Sequence, residues 1–316
     1  MVSKYYVNSL FGKSALFLLD LLLPKTKKKE ISPNFKSILI SNIAHLGDVV
    51  LATAVLEPIK RAYPHVKIGF LVSSGSKQVI EAHPLVDHIH TFDHWKLNRS
   101  KGKSTRFHAI REIRKMHYDI AIDLYIYYPN TILLFWLVGI PIRIGYRSGG
   151  AGPLLTHYLD RSNRHILAYH FDLLKFLNID CSGRPSLPER AFVIPKQEYI
   201  VVHMGDPTSP KSWDKDKWRG LLKKYAGTQL VFTGYGEKEN AYIAEVNQSG
   251  LNLCNKISFQ ELVYLIKHCK LLISIDSVTS HIAACFEKPS IIIFRQKQAL
   301  DQWKPLNSNA KVWLET

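Results

Sequence analysis

The chain is poor in cysteine and in acidic residues, and each shortage narrows what the protein can be. The cysteines are scattered and form no Cys-x-x-Cys pair, which argues against a disulfide framework or a zinc site. We predict that they are small core residues in a reducing compartment: Cys181, Cys254, Cys269 and Cys285. Only 26 acidic residues oppose 42 lysines and arginines, a formal net charge of +16. This excess predicts an anionic partner: nucleic acid, a phosphorylated small molecule or an acidic membrane surface.

Long uncharged apolar runs are also missing. The most apolar stretch, residues 5–23, is interrupted by Asn8, Lys13 and Asp20, and a basic run follows at residues 25–29. Spanning a membrane takes about 20 largely uncharged apolar residues, so a span here is costly. A signal peptide is disfavoured because Asp20 splits the apolar region. Two interpretations stay open: a helix in the inner-leaflet interface with its lysines on anionic headgroups, or a helix docked on the protein's own core.

Short apolar runs alternate with helical periodicity through the rest of the 316 residues. Runs such as residues 36–41 and 271–275 suit strands buried on both faces, and the pattern restarts after the proline-rich residues 183–188. We predict an α/β protein with two doubly wound, Rossmann-like domains and a ligand site in the cleft between them. The expected bounds are 1–30 for the N-terminal apolar and basic helix, 31–190 for the first domain and 191–316 for the second.

Polar loops follow several predicted strands, at the sheet edge where such folds bind ligands. Asp48 lies at a helix start after the first strand and is either a helix cap or a general base. Thr208 and Lys211 lie in a hydroxyl-rich loop after the strand that ends at His203, which is either a surface loop or a phosphate site.

Two further loops of the second half carry similar chemistry. Asp276, Ser277 and His281 join a strand to a helix, and the amides of a helix start bind anions. The glycine-rich loop of residues 233–237 lacks both Gly-x-Gly-x-x-Gly and a Walker lysine, so the usual dinucleotide and P-loop sites are excluded. Residues 214–216 match an Asp-x-Asp metal motif, but aspartate is favoured at a helix start anyway.

A second basic concentration lies in the first half, with only Glu112 opposing it. It either meets phosphates on a ligand or is a solvated basic face. Nucleic acid is disfavoured because no recognisable binding module accompanies the charge. The cluster comprises Lys96, Arg99, Lys101, Lys103, Arg106, Arg111, Arg114 and Lys115.

Five motifs in register resemble the heptosyltransferase family of lipopolysaccharide assembly, glycosyltransferase family 9. The resemblance runs from about residue 36 to residue 294. Each motif alone is weak evidence for the family, but the five in this order are specific. They are Leu46-Gly47-Asp48-Val49, residues 83–87, residues 118–124, Lys211-Ser212-Trp213 with Trp218, and Asp276-Ser277 with His281.

The resemblance implies a GT-B fold and inverting sugar transfer without a metal or cofactor. The implied donor is a nucleotide diphosphate sugar, ADP-heptose above all, and the acceptor a phosphorylated, lipid-linked saccharide such as the lipopolysaccharide core. The implied enzyme is cytoplasmic and peripheral on the inner face of the cytoplasmic membrane. Asp48 then corresponds to the catalytic base, and Lys211 to the cation that neutralises the departing diphosphate.

The same resemblance implies the remaining site residues. For the donor they are Thr208, Thr233, Gly234, Glu237 or Glu239 at the ribose, Ile257 at the base, and Asp276, Ser277 and His281. For the acceptor they are His45, Lys101, Lys103 and Arg106.

Three positions depart from the family pattern. Val278 stands where the family has glycine, Asn42 where it often has a basic residue, and Phe294-Arg295-Gln296 where it has a Gly-Pro-Thr-Asp-Pro-like loop. These departures keep a second hypothesis open: a catalytically inactive relative that binds a nucleotide-sugar or a partner protein.

Overall fold

The chain forms two compact units, the first ending at Gly183 and the second beginning at Arg184. The division falls within the proline-rich stretch, slightly before the predicted boundary at residue 190. The structure, a computed structural model, describes residues 20–93, 102–127, 130–147, 150–160, 162, 164–193, 198–247 and 249–315. Most of the predicted N-terminal helix, residues 5–19, lies outside these ranges.

The first unit is built on six parallel strands. They are β1 (Ser37–Asn42), β2 (Lys67–Val72), β3 (His88–Thr91), β4 (Ile120–Asp123), β5 (Ile142–Tyr146) and β6 (His157–Leu159). Their order in the sheet is β3-β2-β1-β4-β5-β6, so the winding direction changes between β1 and β4. The α-helices are α1 (Leu46–Ala52), α2 (Leu56–Ala62), α3 (Gly102–Met116), α4 (Asn130–Leu137) and α5 (Ile166–Leu174).

The second unit repeats this plan. Its strands are β7 (Tyr199–His203), β8 (Gln229–Thr233), β9 (Leu251–Asn252), β10 (Leu271–Ile275), β11 (Ser290–Phe294) and β12 (Ala310–Leu314). They form a parallel sheet in the order β12-β11-β10-β7-β8-β9, with the change of winding between β10 and β7. The α-helices are α6 (Lys215–Lys223), α7 (Glu237–Val246), α8 (Phe259–His268), α9 (Val278–Cys285) and α10 (Lys297–Trp303).

The cores follow from the apolar strands. Ile38, Leu39 and Ile40 are completely buried, as expected for a central strand covered on both faces. In the second unit Trp218 is also fully buried and meets Trp213 edge to face, with 5.1 Å between the ring centroids. The Tyr242 hydroxyl donates a 2.5 Å hydrogen bond to the carbonyl of Trp213. These contacts fix the end of the loop that carries Lys211.

Several details differ from the sequence prediction. The helical spacing of residues 49–63 predicts one helix, but the structure has two, joined by a 3₁₀ turn at Thr53–Val55. The sequence also predicts a short helix over residues 75–82, where the structure has a 3₁₀ segment, Ser74–Val79. Five elements were not predicted from the sequence: β6, β9, β12, α5 and α10. All four cysteines are unpaired; Cys254 and Cys269 are buried, and the other two are partly buried.

A close approach inside the first unit generates a stability prediction. A Cβ on Gly69 would lie 2.0 Å from the Tyr118 hydroxyl oxygen. The Tyr118 side chain is buried, and its hydroxyl is hydrogen-bonded to His90, with 2.9 Å between Oη and Nε2. We expect Gly69→Ala to cost about 1–3 kcal/mol of unfolding free energy because the ring must shift in a close-packed core.

Gly75→Ala is the matched control, since a Cβ there meets nothing within 4 Å. Denaturant unfolding of both variants measures the difference. An equal loss in the two variants would contradict the close-packing explanation.

Candidate functional site

Residues 204–214, between β7 and α6, carry Lys211, and we call them the lysine loop. This loop contacts the loop after β10, where the winding of the second sheet changes direction. The Lys211 Nζ lies 2.7 Å from Asp276 Oδ2 and donates a 3.1 Å hydrogen bond to the Asp276 carbonyl oxygen. The Asp276 side chain is 8% exposed, whereas that of Lys211 is 49% exposed. The ammonium therefore stays accessible to an anion while the buried carboxylate holds it in place.

A histidine orients the hydroxyl of Ser277. His203 Nδ1 lies 3.1 Å from the carbonyl oxygen of Thr233, and its Nε2 lies 3.1 Å from Ser277 Oγ. A carbonyl only accepts, so Nδ1 carries the proton, and Nε2 of the neutral ring accepts from the Ser277 hydroxyl. Burial lowers the pKa of His203 to about 4, which keeps the imidazole neutral at physiological pH.

The start of α9 is a candidate site for an anion. Ser277 is the N-cap residue, yet its side chain makes no capping hydrogen bond. The first amides of a helix have no partner inside the helix and carry the positive end of its dipole. Val278 is the first helical residue, and His281 is buried one turn later. This helix start, Lys211 and Asp276 together form what we call the anion site.

The glycine-rich loop follows β8, which is the neighbour of β7 in the sheet. The Glu239 carboxylate accepts from the backbone N–H of Tyr235 at 3.0 Å, and burial raises its pKa. Glu237 is exposed at the start of α7, whereas Glu239 is partly buried and its carboxylate folds back onto the loop. Thr233 Oγ1 is buried and has no hydrogen-bond partner among the described residues.

The remaining donor candidates of the second unit are less constrained. The exposed Thr208 hydroxyl donates to Asp206 Oδ1 at 2.7 Å. Ile257 is partly buried just before Ser258, the N-cap of α8. A Cβ on Gly234 would lie 2.5 Å from Glu239 Oε2, so glycine is what lets that carboxylate fold onto the loop.

In the first unit, Asp48 lies in the first turn of α1, directly after β1. Its Oδ2 accepts from the backbone N–H of His45 at 3.2 Å, so the capping role is present. The aspartate is only partly buried and His45 is exposed, which also leaves the carboxylate accessible. Asn42 ties the loop together: its Nδ2 donates to the Asp48 carbonyl at 3.3 Å, and its Oδ1 accepts from the Ala44 amide at 3.2 Å.

A buried carboxylate on β4, the strand beside β1, was not predicted from the sequence as a site residue. Asp123 ends β4, and its carboxylate accepts from the hydroxyls of Ser41 at 2.7 Å and Thr131 at 2.5 Å. Burial raises the pKa of Asp123 to about 6. The signal was an acidic residue at the end of an otherwise apolar strand. Its bonds fix the end of β1 against α4, next to the loop that carries Asp48.

The predicted basic acceptor cluster is only partly described. Lys101 lies outside the described residues, and the side chain of Lys103 is likewise not among them. Arg106 is partly buried on α3, and its Nε is buried without a hydrogen-bond partner within the described ranges. The Arg114 guanidinium donates to the carbonyl of Leu137 at 3.0 Å, which links α3 to α4.

The Asp-x-Asp motif has a structural role. Asp214 is the N-cap of α6, and its side chain accepts from the amides of Asp216 and Lys217. In the part of the chain that the structure describes, no three histidine, cysteine or acidic residues are grouped to hold a metal ion.

Two doubly wound parallel sheets with polar loops where the winding changes define a GT-B type of α/β fold. A profile of glycosyltransferase family 9 (heptosyltransferase) matches residues 106–316, more than half of the sequence. The chain therefore belongs to glycosyltransferase family 9, as its motifs predict, and is a glycosyltransferase.

Known relatives agree with this assignment. Lipopolysaccharide heptosyltransferase 3 of Escherichia coli is 24% identical over 287 residues, which cover 83% of this chain and 84% of that protein. A glycosyl transferase family 9 structure from Veillonella parvula superposes with a TM-score of 0.76 at 22% identity, covering 90% of this chain and 88% of that one. The structure of E. coli heptosyltransferase WaaC with ADP-2-deoxy-2-fluoro heptose superposes with a TM-score of 0.71 at 18% identity, covering 87% of this chain and 92% of that one. The structural likenesses establish the fold.

The neutral His203 generates a pH prediction. The pKa of His203 is lowered from 6.5 to about 4 on folding, so the unfolded chain binds more protons between these values. The stability that it contributes is complete above pH 6.5 and is lost as the pH falls toward 4. We expect His203 to lower the unfolding free energy by about 2 kcal/mol between pH 7 and pH 5.

Urea unfolding at both pH values, for the wild type and for His203→Gln, isolates this contribution. The variant should lose less stability on acidification than the wild type does. The same loss in both proteins would show that folding does not lower the pKa of His203.

Proposed function

We propose that this chain is an inverting, metal-independent heptosyltransferase that moves heptose from ADP-heptose to the lipopolysaccharide core or a related lipid-linked acceptor. The observation that carries the proposal is the anion site: an accessible lysine fixed on a buried aspartate, beside a helix start with no side-chain cap. The names of the similar proteins, which include heptosyltransferases and a complex with an ADP-heptose analogue, support the choice of donor.

The donor diphosphate would lie at the start of α9. The amides of that helix start and Lys211 would stabilise the negative charge that grows on the leaving ADP, which is chiefly an electrostatic task. Asp276, Ser277 and His281 would hold the phosphates and the sugar. The Thr208 hydroxyl would donate a second hydrogen bond to the diphosphate. Thr233, Gly234 and Glu239 would border the ribose, and Ile257 the base; Glu237 is less suited because it is exposed.

Asp48 would act as the general base. Its carboxylate takes the proton of the acceptor hydroxyl, the hydroxyl oxygen bonds to the anomeric carbon, and the bond from that carbon to ADP breaks with inversion. The partly buried carboxylate is held at the start of α1 by the His45 amide. His45, Lys101, Lys103 and Arg106 would contact the acceptor and its phosphates.

The membrane role rests on residues 20–29 and α4, which we call the apolar-basic face. Leu21 and Leu22 are 65% and 85% exposed, whereas Leu23 packs against a cluster that contains Ile132 of α4. On the same helix Trp136 and Leu137 are 44% and 50% exposed, a composition that suits a membrane interface.

Two hydrogen bonds fasten the basic run to the first unit. The Thr26 amide donates to the Pro153 carbonyl at 2.7 Å, and Arg143 Nη2 donates to Thr26 Oγ1 at 3.1 Å. The lysines around Thr26 are exposed, so they can meet anionic headgroups. No helix among the described residues is long and apolar enough to span a bilayer. We propose peripheral attachment at the cytoplasmic face, supported by these exposed lysines and the exposed apolar side chains.

The catalytic base is tested by Asp48→Asn. The amide oxygen can still accept from the His45 N–H, so the helix cap is kept while the base is lost. We expect kcat for heptose transfer to fall by about 10²- to 10⁴-fold, with ADP binding unchanged. Full activity in this variant would remove Asp48 from the mechanism. Lack of turnover in the wild type, with ADP still bound, would instead favour the inactive-relative hypothesis.

The donor site is tested by thermal shift with ADP, GDP, UDP and CMP. ADP at a hundred times its Kd should stabilise the wild type by about 2.7 kcal/mol. Lys211→Ala should abolish most of that shift because the accessible cation is gone. Lys215→Ala is the control, since its side chain is 50% exposed, much like that of Lys211. Loss of the shift in both variants, or in neither, would contradict the assigned site.

The membrane surface is tested by co-sedimentation with vesicles of phosphatidylcholine containing phosphatidylglycerol. Lys27→Gln with Lys28→Gln should weaken binding about 10- to 30-fold, because each lysine near an anionic surface contributes about 1 kcal/mol. The matched control changes Lys223 and Lys224, also exposed but at the end of α6 in the second unit. Equal binding by both double variants would exclude the apolar-basic face as the attachment surface.

A further inference from the structure

The altered loop after β11 places a second cation beside the lysine loop. Arg295 follows Phe294, the last residue of β11, and its Nη1 donates a 2.8 Å hydrogen bond to the carbonyl of Ser212. Ser212 directly follows Lys211 in the chain. β10 and β11 are adjacent and in register, and the Asp276 amide donates to the Ile293 carbonyl at 3.0 Å. Arg295 and the Lys211–Asp276 pair therefore lie at one edge of the sheet.

Charge distinguishes Arg295 from Lys211. The charge of Lys211 is balanced by Asp276, so that pair contributes no net positive charge. Among the described residues, no carboxylate forms an ion pair with Arg295, and the residue is exposed to solvent. A guanidinium has five N–H donors, and the bond to Ser212 uses one. Arginine also matches phosphate oxygens with two parallel hydrogen bonds.

We infer that Arg295 is a second cationic ligand of the donor's diphosphate and supplies the uncompensated positive charge of the anion site. The inference rests on the proposed function, since it assumes that a nucleoside diphosphate occupies this site. It gives a role to a position at which this chain departs from the family pattern. A purely structural alternative exists, in which Arg295 only holds the lysine loop through Ser212.

A double-mutant cycle separates the two roles. Calorimetric Kd values for ADP and for inorganic pyrophosphate are measured on the wild type, Arg295→Met, Lys211→Met and the double variant. We expect Arg295→Met to weaken both ligands about 10- to 100-fold, the usual effect of losing a charged hydrogen-bond partner. The loss should persist in the Lys211→Met background, because a direct contact does not act through Lys211. Arg295→Lys should restore part of the affinity.

Arg219→Met is the control, a charge-matched change on α6 whose guanidinium pairs with Asp216. It should change either Kd less than twofold. An effect of Arg295→Met that vanishes in the Lys211→Met background, or one below twofold in the wild type, would overturn the inference while leaving the proposed function intact. Failure of the wild type to bind either ligand would overturn both. Binding of pyrophosphate but not ADP, with the expected Arg295 effect, would contradict only the choice of nucleotide.

Discussion

The ion pair between Lys211 and Asp276 is the interaction on which the candidate site depends. Burying a carboxylate without a partner costs folding free energy. Lys211 therefore stabilises the buried Asp276, and Asp276 in turn positions Lys211. The pair joins the loops after β7 and β10, the two strands between which the winding of the second sheet changes. It also brings the ammonium to the side of α9's first turn. An anion there meets an amide-lined helix start and a fixed cation together.

The first unit uses the same topology for a different task. Its winding changes between β1 and β4, and the carboxylates of Asp48 and Asp123 follow or end these strands. Their environments separate their roles. Asp123 is buried among hydroxyls, and its pKa is raised to about 6, whereas Asp48 is partly exposed at a helix start. The buried carboxylate fixes the loop geometry, and the accessible one is suited to proton transfer.

Much of this arrangement could be predicted from the sequence, because buried parallel strands leave continuous apolar runs. The central strands and their polar loops were found in this way, and the motifs identified the family. Short edge strands such as β6 and β9 carry too few residues to show a pattern. The N-cap of α5 is His165 rather than a usual capping residue, so the sequence did not indicate where this helix begins. The His203–Ser277 bond and the Arg295–Ser212 bond join residues distant in sequence, and no local spacing encodes them.

The central claim is that the anion site serves inverting transfer from a nucleotide diphosphate sugar. The most direct test is an NMR time course of the wild type with ADP-heptose and a heptose-deficient lipopolysaccharide core, following both ADP release and the anomeric signal of the product. The account predicts stoichiometric ADP release and a product whose anomeric configuration is opposite to that of the donor. Retention of configuration, or ADP release without transfer to the acceptor, would contradict it.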